Sequence, residues 1–159
     1  MPAATLKRFL DENHVRYVSI RHSPAYTAQE IAASAHIPGR EVAKTVMVKI
    51  DGDMAMAVLP ATTMLDLDRL KRAAGARKVA LATERDFKDR FPDCEPGGMP
   101  PFGNLYDMKV FCDALLADDD QIAFNAGSHA ELIQLAYADF ERLVQPTVAN
   151  LSARRVTAV

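Results

Sequence analysis

Lys44 is the charged residue whose position points most directly to chemistry. It opens the apolar segment Lys44–Ile50, and because alternate side chains of a strand share one face, it groups with Val46 and Val48. An ammonium group on an apolar face costs free energy if it is buried without a partner. The pattern slightly favours a functional lysine over one at a frayed strand end that reaches water along its flexible stem.

A second candidate is the segment Glu95–Gly103, which holds three of the seven glycines and three of the nine prolines of the chain. Proline fixes φ and lacks a backbone N–H, while glycine lets another group approach the main chain closely. The composition predicts a stiff loop whose bare backbone can present N–H and C=O groups to a small ligand. A tight connection at a corner of the sheet fits composition alone about as well.

A third candidate is the polar turn Asn125–His129, which follows a predicted strand and joins Gly127 to a hydroxyl and an imidazole. His129 can orient a substrate or carry a proton, although a histidine in a turn is more often a surface residue. His22, after another predicted strand, is a candidate of the same kind. A lysine combined with bare backbone suits hydrolysis in which the protein positions water and stabilises charge without a covalent intermediate.

Other chemistries find little support in the sequence. No His, Cys and Asp cluster has the spacing of a metal site, and the phosphate-loop, dinucleotide-binding and nucleophile-elbow patterns do not occur. Cys94 and Cys112 form neither a disulfide framework nor a metal-type pair, so both are expected to be reduced. Cys112 is expected to be a buried structural thiol, and Cys94 lacks a partner for nucleophilic catalysis at a recognisable spacing.

Length and composition predict one ordinary globular domain over residues 1–159. The start of the chain lacks the apolar core of a signal peptide and no apolar run is long enough to span a bilayer, so a cytosolic protein is expected. A net charge of −2 argues against nucleic-acid binding through overall charge. A local patch that binds nucleic acid stays possible, because Arg69–Lys78 carries five basic residues and no acid. Such a run is more often the solvent-exposed face of a helix.

The elements that would hold these residues begin with a helix over the first dozen residues and a strand at Tyr17–Arg21. Thr27 and Glu30 have the spacing of a capping box and predict a helix from about Ala28 to Ser34. Two apolar runs around Asp51-Gly52-Asp53 predict a β-hairpin. The remaining predictions are helices at 66–75, 83–91 and 139–144, and strands at 79–82, 109–112, 121–125 and 132–135.

Hairpins and short connections dominate this pattern, and a regular βαβ repeat is absent. The sequence therefore predicts an α+β fold, with a curved, largely antiparallel mixed sheet flanked by helices. Such a sheet offers a ligand cleft where loops meet over its open end.

These residues together resemble the YbaK/ProX family of free-standing aminoacyl-tRNA deacylases and the related editing domain of bacterial prolyl-tRNA synthetases. The resemblance runs from about Tyr17 to Val144. It depends on short motifs in a characteristic order: His22, Ala25 and Thr27; Lys44-Thr45; the Gly-x-x-x-Pro element from Gly97 to Pro101 with Phe102-Gly103; and Gly127-Ser128-His129.

The resemblance implies a barrel-like sheet and hydrolysis of the ester between a small, wrongly attached amino acid and tRNA, most often tRNA for proline. It implies no metal or organic cofactor, misacylated tRNA as partner, and prolyl-tRNA synthetase as a possible second partner. Lys44 matches the essential lysine of the family. The substrate-binding residues that it implies are His22, Thr27, Thr45, Gly97, Gly98, Pro101, Phe102, Gly103, Gly127, Ser128 and His129.

Two points stay open at this stage. The Lys44-Thr45 pair resembles the cysteine-clearing branch of the family, whereas Gly127-Ser128-His129 resembles the alanine-clearing branch. The alternative to an enzyme is a non-catalytic module on the same fold that binds aminoacyl, nucleotide or nucleic-acid ligands in regulation.

Overall fold

The computed structural model describes residues 3–22, 30, 33, 36–95 and 98–153. The helices with bounds in these ranges are α1 (Ala4–Glu12), α2 (Leu67–Ala74), α3 (Glu84–Phe87), α4 (Ala114–Ala117) and α5 (Tyr137–Val144), with 3-10 turns at Gly39–Glu41 and Gly103–Leu105. The strands are β1 (Tyr17–Arg21), β2 (Ala43–Ile50), β3 (Asp53–Pro60), β4 (Met64–Leu65), β5 (Val79–Leu81), β6 (Lys109–Asp113), β7 (Gln121–Asn125), β8 (Glu131–Ala136), β9 (Thr147–Ala149) and β10 (Ser152–Ala153).

The described strands form three sheets. The largest has the order β5-β2-β3-β6-β9, and its β3–β6 and β6–β9 pairs are parallel. A second sheet, β1-β8-β7, is antiparallel, and β4 pairs with β10 in a third. The predicted α+β class with a mixed, largely antiparallel sheet is confirmed, and the sheet is divided into parts instead of forming one closed barrel in these ranges.

A single parallel bridge between Val42 and Ala123 joins the two larger sheets. Val42 and Ala123 are almost fully buried there, together with Ile37, and Ile20 and Ala61 pack against them. The N–H of Ala61 also donates to the carbonyl of Val42 over 2.8 Å. This apolar seam fixes the start of β2 beside β7.

The predicted hairpin is present as β2 and β3, which pair without interruption. Asp51 and Gly52 at its tip have φ values of 50° and 90°, the left-handed geometry that suits a two-residue hairpin turn. The Asp51 carboxylate accepts the N–H groups of Arg77 and Lys78 over 3.0 and 2.8 Å. The hairpin tip thereby holds the connection between α2 and β5.

Two hydrophobic cores lie on opposite faces of the largest sheet. The first contains Leu6 and Leu10 from α1, Phe140 from α5, and the buried rings of Phe102 and Phe124. The second is smaller and lies under α2, where Leu70 packs against strand residues that include Val48, Ala55 and Ala57. The alternation of side chains along β2 and β3 supplies both cores from the same pair of strands.

The ends of α2 agree with the sequence prediction. The Asp66 carboxylate accepts the N–H groups of Asp68 and Arg69 over 3.0 and 3.2 Å, which satisfies two donors that the helix leaves unpaired. Gly75 ends the helix at φ 61°, a conformation that glycine adopts without strain.

Other helix boundaries were predicted wrongly. α3 has the expected capping box of Thr83 and Asp86, but it ends at Phe87 and not at Phe91. Pro92 excludes Phe91 from the helix, because proline disfavours the helical region for the preceding residue. α5 begins at Tyr137 and not at Asp139, since the Tyr137 N–H donates to the carbonyl of Asp120 at the start of the helix.

The predicted Thr27 cap lies outside the described residues, as does most of the helix predicted from Ala28 to Ser34. In the described part of the chain, no helix is both long and apolar enough to cross a membrane.

Replacement of Asp66 by alanine should lower the free energy of unfolding by about 1 kcal/mol, because two helix N–H groups lose their acceptor. The neighbouring Asp68→Ala, which removes an exposed acid without a capping bond, is the matched control. Urea denaturation of the two variants measures the difference. Equal stabilities would show that Asp66 does not stabilise α2 through its cap.

Candidate active site

Lys44 lies at the start of β2, where its half-buried ammonium group donates to the carbonyl of Thr63 over 2.5 Å. Thr63 is itself fixed, because its hydroxyl and its N–H both donate to the carbonyl of Pro60, over 2.8 and 3.0 Å. Lys44 alternates in register with Val46 and Val48, which belong to the core under α2. The lysine therefore sits at the end of an apolar strand face, as the spacing predicts, and a backbone oxygen fixes its position.

The seam between the sheets lies close to both Lys44 and the polar turn. Val42 and Ala123 form an isolated parallel bridge, and Lys44 and Asn125 each lie two residues beyond it along the chain. Asn125 is half-buried and ends β7, directly before Ala126 and Gly127. The bridge thus joins the segment that leads into Lys44 to the strand that leads into the turn, although the two are far apart in sequence.

Cross-strand pairs in the antiparallel sheet connect Asn125 to β1. Asn125 pairs with Leu132, and Leu132 pairs with Ile20 of β1. His22, two residues beyond Ile20, donates its backbone N–H to the carbonyl of Ala130 over 2.9 Å. The backbone of His22 is thus bonded to the residue that directly follows Gly127-Ser128-His129.

The glycine and proline loop is bonded to this turn through the main chain. The Gly127 N–H donates to the carbonyl of Gly98, and the Glu95 N–H donates to the carbonyl of Gly127, both over 2.7 Å. Gly127 adopts φ 98°, which other residues reach only with strain. Two segments that the sequence singled out separately therefore form one wall.

Gly98 is held against the backbone of Ser128. A Cβ atom at Gly98 would lie 3.0 Å from three main-chain atoms of Ser128. The Glu95 carboxylate accepts the N–H of His129 over 3.2 Å, and the Ser128 hydroxyl accepts that of Ala130 over the same distance. His129 is exposed and Ser128 is buried, so the imidazole is the accessible side chain of this turn.

The end of the loop belongs to the core. Pro101, Phe102 and Gly103 are buried, and the Phe102 ring contacts the rings of Phe9, Phe124 and Phe140. A Cβ atom at Gly103 would lie 2.6 Å from the carbonyl oxygen of Met108 and from a methyl group of Val110. These residues anchor the loop through packing. Direct contact of Phe102 or Gly103 with a substrate stays a prediction.

Thr45 is separated from Lys44 by the alternation of the strand. β2 and β3 pair in an unbroken register, so consecutive side chains point to opposite faces of the sheet. Two further predicted residues, Thr27 and Gly97, lie outside the described residues.

Sequence reasoning missed three residues that the structure places at this site. Glu95 binds the polar turn, Asn125 ends the strand that is bridged to Val42, and the carbonyl of Thr63 accepts a hydrogen bond from Lys44. Asn125 and Glu95 are the first residues of segments that the sequence had already selected, so their polarity was an available signal. Nothing in the sequence indicates Thr63, because its role depends on a backbone carbonyl.

Glu131 stabilises the start of the turn through its backbone and its carboxylate. Its buried carboxylate lies 2.6 Å from the Lys7 ammonium group and accepts the Ser19 hydroxyl, and its carbonyl accepts the Ala126 N–H. Burial alone would raise its pKa, but the bonds with Lys7 and Ser19 outweigh burial and lower the pKa. A charged Glu131 therefore ties α1 and β1 to the start of β8.

Cys94 is not activated as a nucleophile. Burial, together with the nearby Asp93 carboxylate, raises the pKa of its thiol to about 11, although the Tyr106 hydroxyl at 3.4 Å opposes the shift. A thiol is a strong nucleophile only as the thiolate. Cys112 is fully buried, and burial raises its pKa to about 12. Both cysteines are free, as the sequence predicts.

Comparison with known proteins identifies the kind of domain that carries this site. The family model of the aminoacyl-tRNA editing domain matches residues 22–143, which include Lys44 and both glycine segments. This chain belongs to the aminoacyl-tRNA editing domain family. The resemblance inferred from short motifs is thereby confirmed.

Two curated relatives in this editing family are similar over most of the chain. The multifunctional Ser/Thr-tRNA deacylase ProXp-y of Escherichia coli K12 is 33% identical over 113 residues, which cover 68% of this chain and 67% of the relative. The prolyl-tRNA editing protein ProX of Acetoanaerobium sticklandii is 25% identical over 142 residues, 86% of each chain.

The fold agrees with that of a solved structure. A crystal structure described as that of a candidate trans-editing enzyme for prolyl-tRNA synthetase superimposes with a TM-score of 0.82. The superposition covers 96% of this chain and 98% of the solved chain, and the two sequences are 18% identical. This likeness supports the editing-domain fold.

Gly98→Ala should lower the free energy of unfolding by about 1–3 kcal/mol, because the added methyl group overpacks the contact with Ser128. Gly39→Ala is the control, since its nearest neighbour would lie 3.9 Å away, in ordinary van der Waals contact. Chemical denaturation gives the stabilities. If Gly98→Ala were as stable as Gly39→Ala, the two loops would not be packed as described.

Alkylation of Cys94 by iodoacetamide should be slow near neutral pH and should rise about tenfold per pH unit up to about pH 9.5, because the thiolate fraction still grows below a pKa of about 11. Mass spectrometry of the Cys112→Ala variant isolates this reaction. A rate that levels off near pH 8.5 would indicate an ordinary thiol.

Proposed function

We propose that this chain is a deacylase that hydrolyses the ester bond between a small amino acid and the terminal ribose of a misacylated tRNA. Membership in the editing-domain family supports the reaction class. The observation that carries the proposal is the hydrogen-bonded wall of Gly98 and Gly127, which follows the strand that is bridged to Val42, two residues before Lys44. On this proposal residues 1–159 act as one editing domain.

In the proposed reaction, water attacks the carbonyl carbon of the ester. The carbon–oxygen bond to the ribose breaks, the ribose oxygen takes a proton, and the amino acid leaves with the oxygen of water. Negative charge develops on the ester oxygens as the water adds. The Lys44 ammonium group, fixed by the Thr63 carbonyl, offsets charge on the ester or on the terminal phosphate.

The glycine wall has a positioning role in this proposal. Backbone amide groups of the Glu95–Gly103 loop and of the Gly127-Ser128-His129 turn hold the carbonyl and the attacking water in a reactive geometry. His22 and His129 flank the turn and bind the substrate. The reaction then needs no enzyme-bound covalent intermediate, which agrees with the protonated state of Cys94.

Size selection is the proposed basis of substrate choice. A wall of main-chain atoms and prolines does not move aside for a larger side chain, so it admits a small amino acid and excludes a correct, larger one. Alanine and cysteine on tRNA for proline are the proposed substrates. The E. coli relative is named for serine and threonine, which are also small, so these belong in the same test. Prolyl-tRNA synthetase is the proposed partner that presents the tRNA.

Lys44→Ala should reduce kcat for deacylation by about 100- to 1000-fold, because one preorganised positive charge at the reacting ester is lost. The measurement is release of labelled amino acid from tRNA for proline carrying alanine, cysteine, serine, threonine or proline. The proline ester should persist with the unmodified protein.

Lys109→Ala is the matched control, because it removes an exposed lysine from the largest sheet without touching β2. It should keep full activity. Undiminished deacylation by Lys44→Ala would overturn the role of Lys44. Tight binding of an aminoacyl-adenosine mimic by the unmodified protein without turnover of any ester would instead favour a non-catalytic binding module.

A further inference from the structure

The helix α2 and the connection after it present a concentration of positive charge. Arg69, Lys71, Arg72, Arg77 and Lys78 are all exposed, and no acidic residue lies among them in the sequence. The chain as a whole has a net charge of −2, so this segment contrasts with its surroundings. These five residues are called the α2 surface below.

Most of this charge is not neutralised. In the described part of the chain, the side chains of Lys71, Arg72, Arg77 and Lys78 form no ion pair. Arg69 is the exception, since its guanidinium lies 3.6 Å from the Asp66 carboxylate and donates to the Ser152 carbonyl over 3.0 Å. The charged groups of these four residues are therefore open to an external anion.

The α2 surface also borders a groove. Arg69 and Arg72, one turn apart on the same side of the helix, line a groove of about 500 Å³ together with Ala73, Ala149 and Asn150. The backbone of Arg77 and Lys78 is held by the Asp51 carboxylate of the hairpin tip. Cations on a rigid helix beside a groove suit a polyanion, because an arginine fork binds phosphate oxygens in pairs.

The position of α2 relative to Lys44 limits what that polyanion is. Lys44 shares its β2 face with Val48, which packs in the core under α2. Lys44 is bonded to the carbonyl of Thr63, and Asp66, which caps α2, is three residues further along the chain. Three residues of extended chain span at most about 11 Å, so the start of α2 lies near Lys44. The α2 surface and the proposed catalytic lysine thus lie on the same side of the largest sheet.

We propose that the α2 surface binds the phosphate backbone of the tRNA substrate next to its acceptor end. This inference rests on the proposed function, because an ester at Lys44 is attached to the end of a tRNA, whose backbone carries a phosphate at every nucleotide that leads from that end into the acceptor stem. Double-helical RNA is bound mostly through its shape and phosphates, which spaced arginine and lysine side chains on a rigid helix match. Binding at this surface then supplies affinity without regard to the amino acid carried.

The test uses a variant with Lys71→Gln, Arg72→Gln and Arg77→Gln. The three side chains are exposed and make no described ion pair, and glutamine keeps the helix propensity of α2. The control variant carries Arg8→Gln, Arg16→Gln and Lys109→Gln, which lowers the net charge equally at exposed positions outside the α2 surface that form no described ion pair. Circular dichroism verifies that both variants fold.

Binding of uncharged tRNA for proline is measured by fluorescence anisotropy at several salt concentrations between about 50 and 200 mM. We expect the α2 variant to bind at least about tenfold more weakly, with a salt dependence lower by about one unit of slope for each cation removed. The control variant should bind as the unmodified protein does. Equal affinities of the two variants, or binding that ignores salt, would overturn the proposal.

A kinetic measurement separates this proposal from the proposed function. With charged tRNA, the α2 variant should show a raised KM and an unchanged kcat, whereas both variants should cleave a short aminoacyl-adenosine ester equally. Absence of all deacylation by the unmodified protein would refute the proposed function and leave the binding result to decide the α2 surface. Unaltered tRNA binding by the α2 variant, together with lost binding of prolyl-tRNA synthetase, would assign the surface to a protein partner and overturn the proposal.

Discussion

The exchange of main-chain hydrogen bonds between the Glu95–Gly98 segment and Gly127 is the constraint on which the rest of the site depends. Each bond pairs a backbone amide with a carbonyl of the other segment at 2.7 Å, and the close approach requires that Gly98 lack a side chain. Unpaired buried backbone groups are costly, so the two segments stabilise one another. Glu95, Gly98 and Gly127 belong to no helix or strand, so this pairing fixes their positions.

The seam at Val42 and Ala123 determines what this wall faces. Lys44 belongs to the largest sheet and the polar turn follows a strand of another, and the parallel bridge joins the two segments two residues before Lys44. The bridge is buried among apolar residues, which exclude water from the junction. The junction between the two larger sheets thereby fixes the start of β2 relative to the strand that leads into the turn.

The sequence allowed the elements to be predicted better than their junctions. The hairpin around Asp51-Gly52 and the caps of α2 are local, since turn and capping residues act within a few positions. The end of α3 predicted at Phe91 was wrong, since Pro92 disfavours the helical region for that residue. The bridge between Val42 and Ala123 and the bond from Lys44 to Thr63 join residues through tertiary contact and backbone groups, which no spacing reveals. Only the similarity of the motifs to a known family grouped Lys44 with Gly98 and Gly127, and of this grouping the structure shows the bond between Gly127 and Gly98.

In the proposed arrangement, affinity and selection are assigned to different surfaces. The cations of the α2 surface attract phosphates that every tRNA carries, so they lower KM equally for right and wrong esters. Discrimination must then arise where the amino acid sits, at a wall whose contacts are main-chain atoms around Gly98 and Gly127. Main-chain atoms held by mutual hydrogen bonds cannot rotate away as side chains do, so an oversized substrate meets a repulsive contact that binding energy from the distant phosphates does not relieve. Strong binding of tRNA is therefore compatible with strict exclusion by size, because the attraction acts on the phosphates and the repulsion acts on the amino acid of the same substrate.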